Sequence, residues 1–285
     1  MQYLRKIYGR CIRCVGGLLM GGMLLTSCAT ASLSRYGAVG RVKEYEWCDP
    51  QVPEPFDGFR IAFATDFHYE SRFGKKRLEG LVRTLQGTAA DVLLLGGDYR
   101  GRHGGDVGEL FRALQQVQTE CGTFAVMGNH ERGMADTLAR RAMAATGVRL
   151  LEHRVDTLRR DTAFILLAGE RNPFDLQRNG ISPTLALRDD DFVVLLTHTP
   201  DYVEDVPITH TDIALAGHTH GGQVSLFRRW SLARFSHYGN RFLTGLKYNR
   251  QGIPVIVSNG IGTSRRDVRL FTPSEVVVLR LVRKR

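Results

Sequence analysis

"DIALAGHTHGG", residues 212–222, decides how this chain folds. Four apolar residues, Ile213 to Ala216, run unbroken into a turn that holds two histidines, His218 and His220, and three glycines, Gly217, Gly221 and Gly222. A short continuous apolar run bounded by turn residues reads as a strand buried on both faces. Ligands of open α/β sheets gather beyond the carboxyl ends of such strands. Glycines leave space and permit backbone angles that side chains block, so this turn can aim both imidazoles into one cavity. At this spacing the two rings need not share an ion and can serve two adjacent ones.

The same pattern recurs along the chain. "FRIAFATD" (59–66), "DVLLLGGD" (91–98), "TFAVMGNH" (123–130), "AFILLAGE" (163–170) and "FVVLLTHTP" (192–200) read as further buried strands. Between them, "KKRLEGLVRTLQG" (75–87), "VGELFRALQQVQ" (107–118) and "MADTLARRAMAATG" (134–147) carry the 3.6-residue spacing of helices. Two later runs, "IPVIVSNG" (253–260) and "EVVVLRLV" (275–282), extend the sheet structure with no helix between them. The class is α/β.

Five of the six early strands end in cation-binding residue types: Asp66 and His68, Asp98, Asn129 and His130, His198, and His218 with His220. One such residue after a strand is usually a turn or cap. Five of the chain's nine histidines at strand ends is a placement chance does not readily repeat. The set suits phosphoester hydrolysis, which needs an oxygen nucleophile near neutral pH and neutralised phosphoryl charge. Two metals about 3.5 to 4 Å apart supply both by sharing a hydroxide and clamping the phosphate. Carboxylate, amide and imidazole donors without thiolate point to two divalent transition metals, Mn, Fe, Zn or Co, rather than Mg or Ca, and Mn is favoured.

"DFH", "GGD", "GNHE", the His198 of "LLTHTPD" and "GHTH" resemble, in order and spacing, the five signature blocks of the calcineurin-like metallophosphoesterases, over about residues 58–282. The resemblance implies a four-layer α-β-β-α sandwich. It also implies that Asp66, His68 and His220 bind one metal, that Asn129, His198 and His218 bind the other, and that Asp98 bridges them. His130 resembles the histidine that contacts the phosphate and protonates the leaving oxygen. Where many relatives carry a second aspartate, this chain has Gly101, which leaves Glu131, His103 and Arg132 as candidates to orient His130. Phe67 and Tyr69 make the first block more aromatic than is common. "GHTHGGQ" and "SNGIGTSRRDVRLFTPSEVVVL" resemble the membrane-associated bacterial phosphodiesterases, a branch that includes UDP-diacylglucosamine hydrolases of lipid A synthesis.

The N-terminus reads as an export signal. Arg5, Lys6, Arg10 and Arg13 precede the eleven uncharged residues of "VGGLLMGGMLL" (15–25), too few for a spanning helix, which needs about 20. "LTSC" (25–28) resembles a bacterial lipobox, so residues 1–27 are expected to be removed and Cys28 diacylated. An ordinary signal peptide is the alternative. Residues 28–57 then form a tether and lead-in, and 58–285 the phosphoesterase domain. Cys11 and Cys14 fall in the removed segment, and Cys48 and Cys121 are not expected to pair.

Charge concentrates late. From Gly217 on, thirteen Lys or Arg face only Asp267 and Glu275, an excess of +11 against the chain's net +10. Within it, the Phe227–Arg250 stretch interleaves six bases with six Phe, Trp or Tyr and follows directly on the histidine turn. It is expected to overhang the site. Arg228, Arg229, Arg234 and Trp230, with Phe227 and Phe235, are candidate contacts for an amphiphilic substrate or a membrane. Core packing is the competing reading of this stretch. His103, His153, His210 and His237 are assigned to loops without a role. Export makes nucleic acid an unexpected partner. The reading is therefore an extracytoplasmic, membrane-anchored phosphodiesterase. Its alternatives are a UDP-diacylglucosamine pyrophosphohydrolase, which would be cytoplasmic, and a non-catalytic surface lipoprotein.

Overall fold

The computed structural model describes residues 11–13, 39–70, 73–101, 104–170, 180–226, 230, 231, 233 and 235–284. Cys28 with most of the export signal and tether, His103, Phe227, Arg228, Arg229 and Arg234 lie outside the described residues.

Two sheets form the body. The first has the order β1 (Cys11–Arg13), β2 (Arg41–Asp49), β15 (Glu275–Arg283), β3 (Arg60–Ala64), β4 (Val92–Leu95), β5 (Thr123–Ala125), β6 (Arg149–Leu150). The second has the order β13 (Gly245–Tyr248), β14 (Pro254–Val257), β10 (Ile213–Ala216), β9 (Val193–Leu196), β8 (Ala163–Gly169), β7 (Arg154–Arg160). A short ribbon, β11 (Ser225–Leu226) with β12 (Trp230–Ser231), stands apart.

The unbroken apolar runs arise because side chains alternate across a strand and both faces here are covered. Val92 and Leu94 of β4 face Ile213 and Leu215 of β10 in the core between the sheets. Leu93 and Leu95 point the other way, onto α1 (Lys75–Gln86), α2 (Val107–Leu114) and α3 (Met134–Thr146). Ala214 and Ala216 pack outward with Tyr202 and Val203 of α4 (Pro200–Asp205). The layers are therefore α-β-β-α. In α1, Leu78, Leu81, Val82 and Leu85 form the buried stripe. α2 ends four residues before the periodicity does, because Gln116 and Val117 close i→i+3 bonds to Ala113 O and Leu114 O that turn Val117 into the core.

The lead-in contains sheet structure from Arg41 onward. β2 pairs in parallel with β15 over nine residues, from Arg41 opposite Glu275 to Asp49 opposite Arg283, and an ion pair between Arg41 and Glu275 closes its start. β7 was also hidden in the sequence: "RVDTLRR" is polar because it is an edge strand, paired among the described residues with β8 alone. Cys48 and Cys121 are not joined in a disulfide.

β3, β4 and β5 run parallel, as do β9, β10 and β14, so their carboxyl ends form two rows of loops. Cross-sheet bonds hold the rows together. Ile261 N–H donates to Thr65 O at 2.9 Å, Gly262 N–H to Asp66 O at 2.7 Å, and His198 Nδ1 lies 2.7 Å from Gly96 O.

Candidate metal centre

The seam between these rows brings all seven expected ligand residues and His130 together. His68 Nε2 lies 3.2 Å from His220 Nε2, and His220 Nε2 lies 3.4 Å from Asp66 Oδ1. On the other side, His198 Nε2 lies 3.0 Å from Asn129 Oδ1 and 3.2 Å from His218 Nδ1. Asp98 Oδ2 stands between the groups, 3.5 Å from both His68 Nε2 and His198 Nε2. His130 Nε2 is 3.9 Å from the same oxygen, its ring edge-on to His68. Asp66, His68 and His220 thus form one set able to hold a cation, and Asp98, His198 and His218 another.

A cation fits these residues. Asp66 Oδ1 is buried and accepts no hydrogen bond, while Oδ2 takes one from Thr65 and one from His218 N–H. His198 points Nδ1 at a carbonyl, which leaves Nε2 facing an amide oxygen, a carboxylate and a second imidazole. One proton cannot serve three acceptors. A hydrogen bond from the far ring nitrogen to a carbonyl is also how ligand imidazoles are oriented.

The ligand backbones are themselves unusual. Asp66, His68, Asp98, His218 and His220 have φ of 55°, 42°, 55°, 67° and 52°. Left-handed backbone costs a non-glycine residue roughly 1–2 kcal/mol, least for Asp, Asn and His. Packing imposes it, and its concentration here marks a site whose geometry takes precedence over local preference. The glycines of the turn have distinct tasks. A Cβ on Gly217 would stand 2.4 Å from Asp66 Oδ2, so its bareness admits the carboxylate. Gly221 has φ 59° and a Cβ there would meet Asn259 Oδ1 at 2.4 Å.

Burial sets the protonation. It pushes His68 down to about 4, His218 to about 3 and His220 well below its ordinary value, so these rings are neutral donors. Asp66 is pushed up to about 6, chiefly by burial. Burial disfavours the Asp98 anion as well, but the His198 and His68 rings outweigh it and hold the carboxyl well below the usual range. On His198 burial opposes charge too, yet Asp98 and Asp66 raise it to about 10. Asp98 therefore keeps its charge at pH values where Asp66 takes up a proton, and it is the group that two cations would share.

Two supporting residues escape sequence reasoning. Glu131, a candidate for orienting His130, instead accepts from Asp98 N–H, Tyr99 N–H and Gly128 N–H at 2.9, 2.9 and 2.8 Å. It ties the loops of Asp98 and Asn129 into one unit, and burial lifts its own carboxyl to about 7. Arg269 donates to Asn259 O at 2.7 Å and His220 O at 3.2 Å, fastening the histidine turn to the loop after β14. Both lie in blocks quoted above, Glu131 in "GNHE" and Arg269 in "SNGIGTSRRDVRLFTPSEVVVL", but their bonds go to backbone groups, which those blocks do not record.

Above the ligands opens a cleft of 410 Å³ lined by Asn129, His130, Arg132, Phe235, His237 and Arg265 among others. His237, read as an idle loop residue, thus belongs to its wall. The stretch 235–250 divides its labour: Phe235 sits against the His220 ring, whereas Phe242 and Leu243 are core. Asp201 takes His237 N–H at 2.9 Å, and Glu204 pairs with Arg241 at 2.7 Å, which docks the stretch on α4. Trp230 stays half exposed.

The family model for calcineurin-like phosphoesterases matches residues 59–222. An uncharacterized metallophosphoesterase of Campylobacter jejuni is 27% identical over 252 residues, 86% of this chain and 65% of its own length. One from Aquifex aeolicus is 26% identical over 245 residues, 84% of this chain and 90% of its own. Among solved structures, the NAD nucleotidase of Haemophilus influenzae aligns with a TM-score of 0.49 at 15% identity, over 71% of this chain and 45% of its own. With five ordered blocks in one seam and a family model matching more than half of its length, this chain belongs to the calcineurin-like phosphoesterase family.

Proposed function

We propose that the chain is a dinuclear-metal phosphodiesterase of the bacterial envelope, acting on a diester carried by an amphiphile. The observation that carries the reading is the single Asp98 oxygen set 3.5 Å from a histidine of each ligand group. Asp66, His68 and His220 would hold one divalent metal and Asn129, His198 and His218 the other, with Asp98 between. Such a pair supplies Lewis acidity and a nucleophile near neutral pH. The chain's own residues do the rest. His130, beside Asp98 and among the residues lining the cleft, would contact the phosphoryl group and hand a proton to the leaving oxygen. Phe235 and Arg265 extend the wall beyond it, in a cleft large enough for organic groups on both ester oxygens.

The guanidiniums of Arg132 and Arg265 on one cleft favour a second reading, a pyrophosphate linking nucleotide and lipid. The lipobox motif ending in Cys28 supports export and anchoring. No helix among the described residues is long and apolar enough to cross a membrane. Purified protein with Mn²⁺ should cleave bis(p-nitrophenyl) phosphate faster than p-nitrophenyl phosphate. Preference for the monoester, or for a pyrophosphate, overturns the diester assignment. Mass spectrometry of native protein should find the mature chain starting at a diacylated Cys28, and an intact N-terminus removes the lipoprotein reading.

A further inference from the structure

Val224, Leu226, Trp230, Val268, Leu270 and Phe271 make up half of the large apolar side chains exposed among the described residues, and all six stand in one hydrogen-bonded unit. The β11–β12 ribbon pairs Leu226 with Trp230, and Val224 bridges to Leu270 and Phe271 of the following loop. Leu270 N–H donates to Gln223 O at 2.7 Å, and Gln223 Nε2 donates to Arg266 O and Val268 O at 2.9 and 3.3 Å. The apolar side chains are therefore displayed by a built scaffold. A cluster of this kind is a contact surface, since water disfavours it in a free monomer.

Three observations identify what it contacts. Arg265 and Arg266, both exposed, flank the apolar side chains, which sets the complementary charge as negative. The surface adjoins the cleft, because Arg265 lines it and Gln223 follows directly on the histidine turn. The chain also enters the domain here: Gly40 N–H donates to Ser274 Oγ at 2.9 Å, three residues from Phe271. Cys28 precedes Val39 by eleven residues, a reach of at most about 40 Å, so an anchored Cys28 keeps this face near its bilayer.

We propose that Leu226, Trp230 and Phe271, flanked by Arg265 and Arg266, seat in the head-group layer of an anionic membrane and bring the cleft to lipid-borne substrate. Aromatic rings favour that layer and basic side chains its surface potential. The docking deepens the amphiphile reading above and rests on it only for its purpose.

The test uses the full chain with vesicles of phosphatidylglycerol and phosphatidylcholine whose acyl chains carry bromine. Trp47, the chain's other tryptophan, is buried, and Trp230→Phe supplies its background. Trp230 emission should be quenched by the brominated chains and shielded from aqueous acrylamide. In the Cys28→Ser chain, Phe271→Ser with Leu226→Ser should lower vesicle affinity at least tenfold, and Arg266→Ser about fivefold, while hydrolysis of soluble bis(p-nitrophenyl) phosphate is unchanged. Absence of vesicle binding, a Trp230 open to acrylamide, or affinity indifferent to Phe271→Ser overturns the docking. Quenching without any diester turnover overturns the phosphodiesterase assignment and leaves the docking standing.

Discussion

His68 and His220 stand 152 residues apart in sequence, and their Nε2 atoms face each other at 3.2 Å inside a buried seam. Burial keeps both rings neutral, and their Nε2 atoms converge on one point beside Asp66 Oδ1. Metal should bind there with both rings intact, and His220→Ala should lower metal content toward half. Asp98→Ala should abolish turnover, since it removes the group shared by both ligand sets. Elemental analysis beside diester assays checks both. Tightly held metal absent from pure wild-type protein, with activity indifferent to chelators, refutes the centre.

His130 donates its backbone N–H to Asp98 Oδ1 at 2.9 Å and sets its ring edge-on to His68, with Nε2 3.9 Å from Asp98 Oδ2, so its imidazole belongs to neither of the two ligand sets described above. His130→Ala should therefore keep its metal and lose about 10²- to 10⁴-fold in rate. The loss should be greater for an alkoxide leaving group than for nitrophenolate, which needs no proton. Equal losses on the two substrates count against proton donation.

Glu131 satisfies three buried backbone N–H groups. Glu131→Ala leaves them unpaired at about 1–3 kcal/mol each, so the variant should lose about 3 kcal/mol or more of stability. Glu131→Gln, which keeps an acceptor oxygen, should lose less. Urea denaturation of the metal-free chains provides the comparison, and an Ala variant as stable as wild type disproves the role.

Glu170, directly after β8, is fully buried, with Tyr202 Oη at 2.5 Å and His153 Nδ1 at 3.3 Å, and burial raises it from 4.5 to about 8. Between those values the folded chain retains a proton that the unfolded chain has released. Its contribution to stability is therefore full below about pH 4.5 and falls as pH rises toward 8, by about 1.4 kcal/mol per unit of retained shift. Comparing urea midpoints from pH 5 to 8.5, wild type should weaken more steeply than Glu170→Gln. Parallel profiles exclude a protonated Glu170.

By itself the sequence determined the apolar strands, the three helices α1 to α3 and the inventory of the centre. Apolar runs and helical stripes are local, and each ligand follows its strand within a few residues, so Asp66, Asp98, Asn129, His198 and the 217–222 turn are legible without coordinates. Tertiary structure alone decided the left-handed backbone of five ligands, which opposes local preference and exists because packing overrides it. It also decided that Arg41–Asp49 is a strand, since a half-polar segment acquires that form only from β15, more than 230 residues away. Glu131 and Arg269 earn their places by bonding backbone groups, which every residue carries and no motif records. The exposed apolar surface likewise joins Val224, Leu226 and Trp230 to Val268, Leu270 and Phe271, which meet because the backbone of Gln223 and Val224 and the side chain of Gln223 bond to that loop.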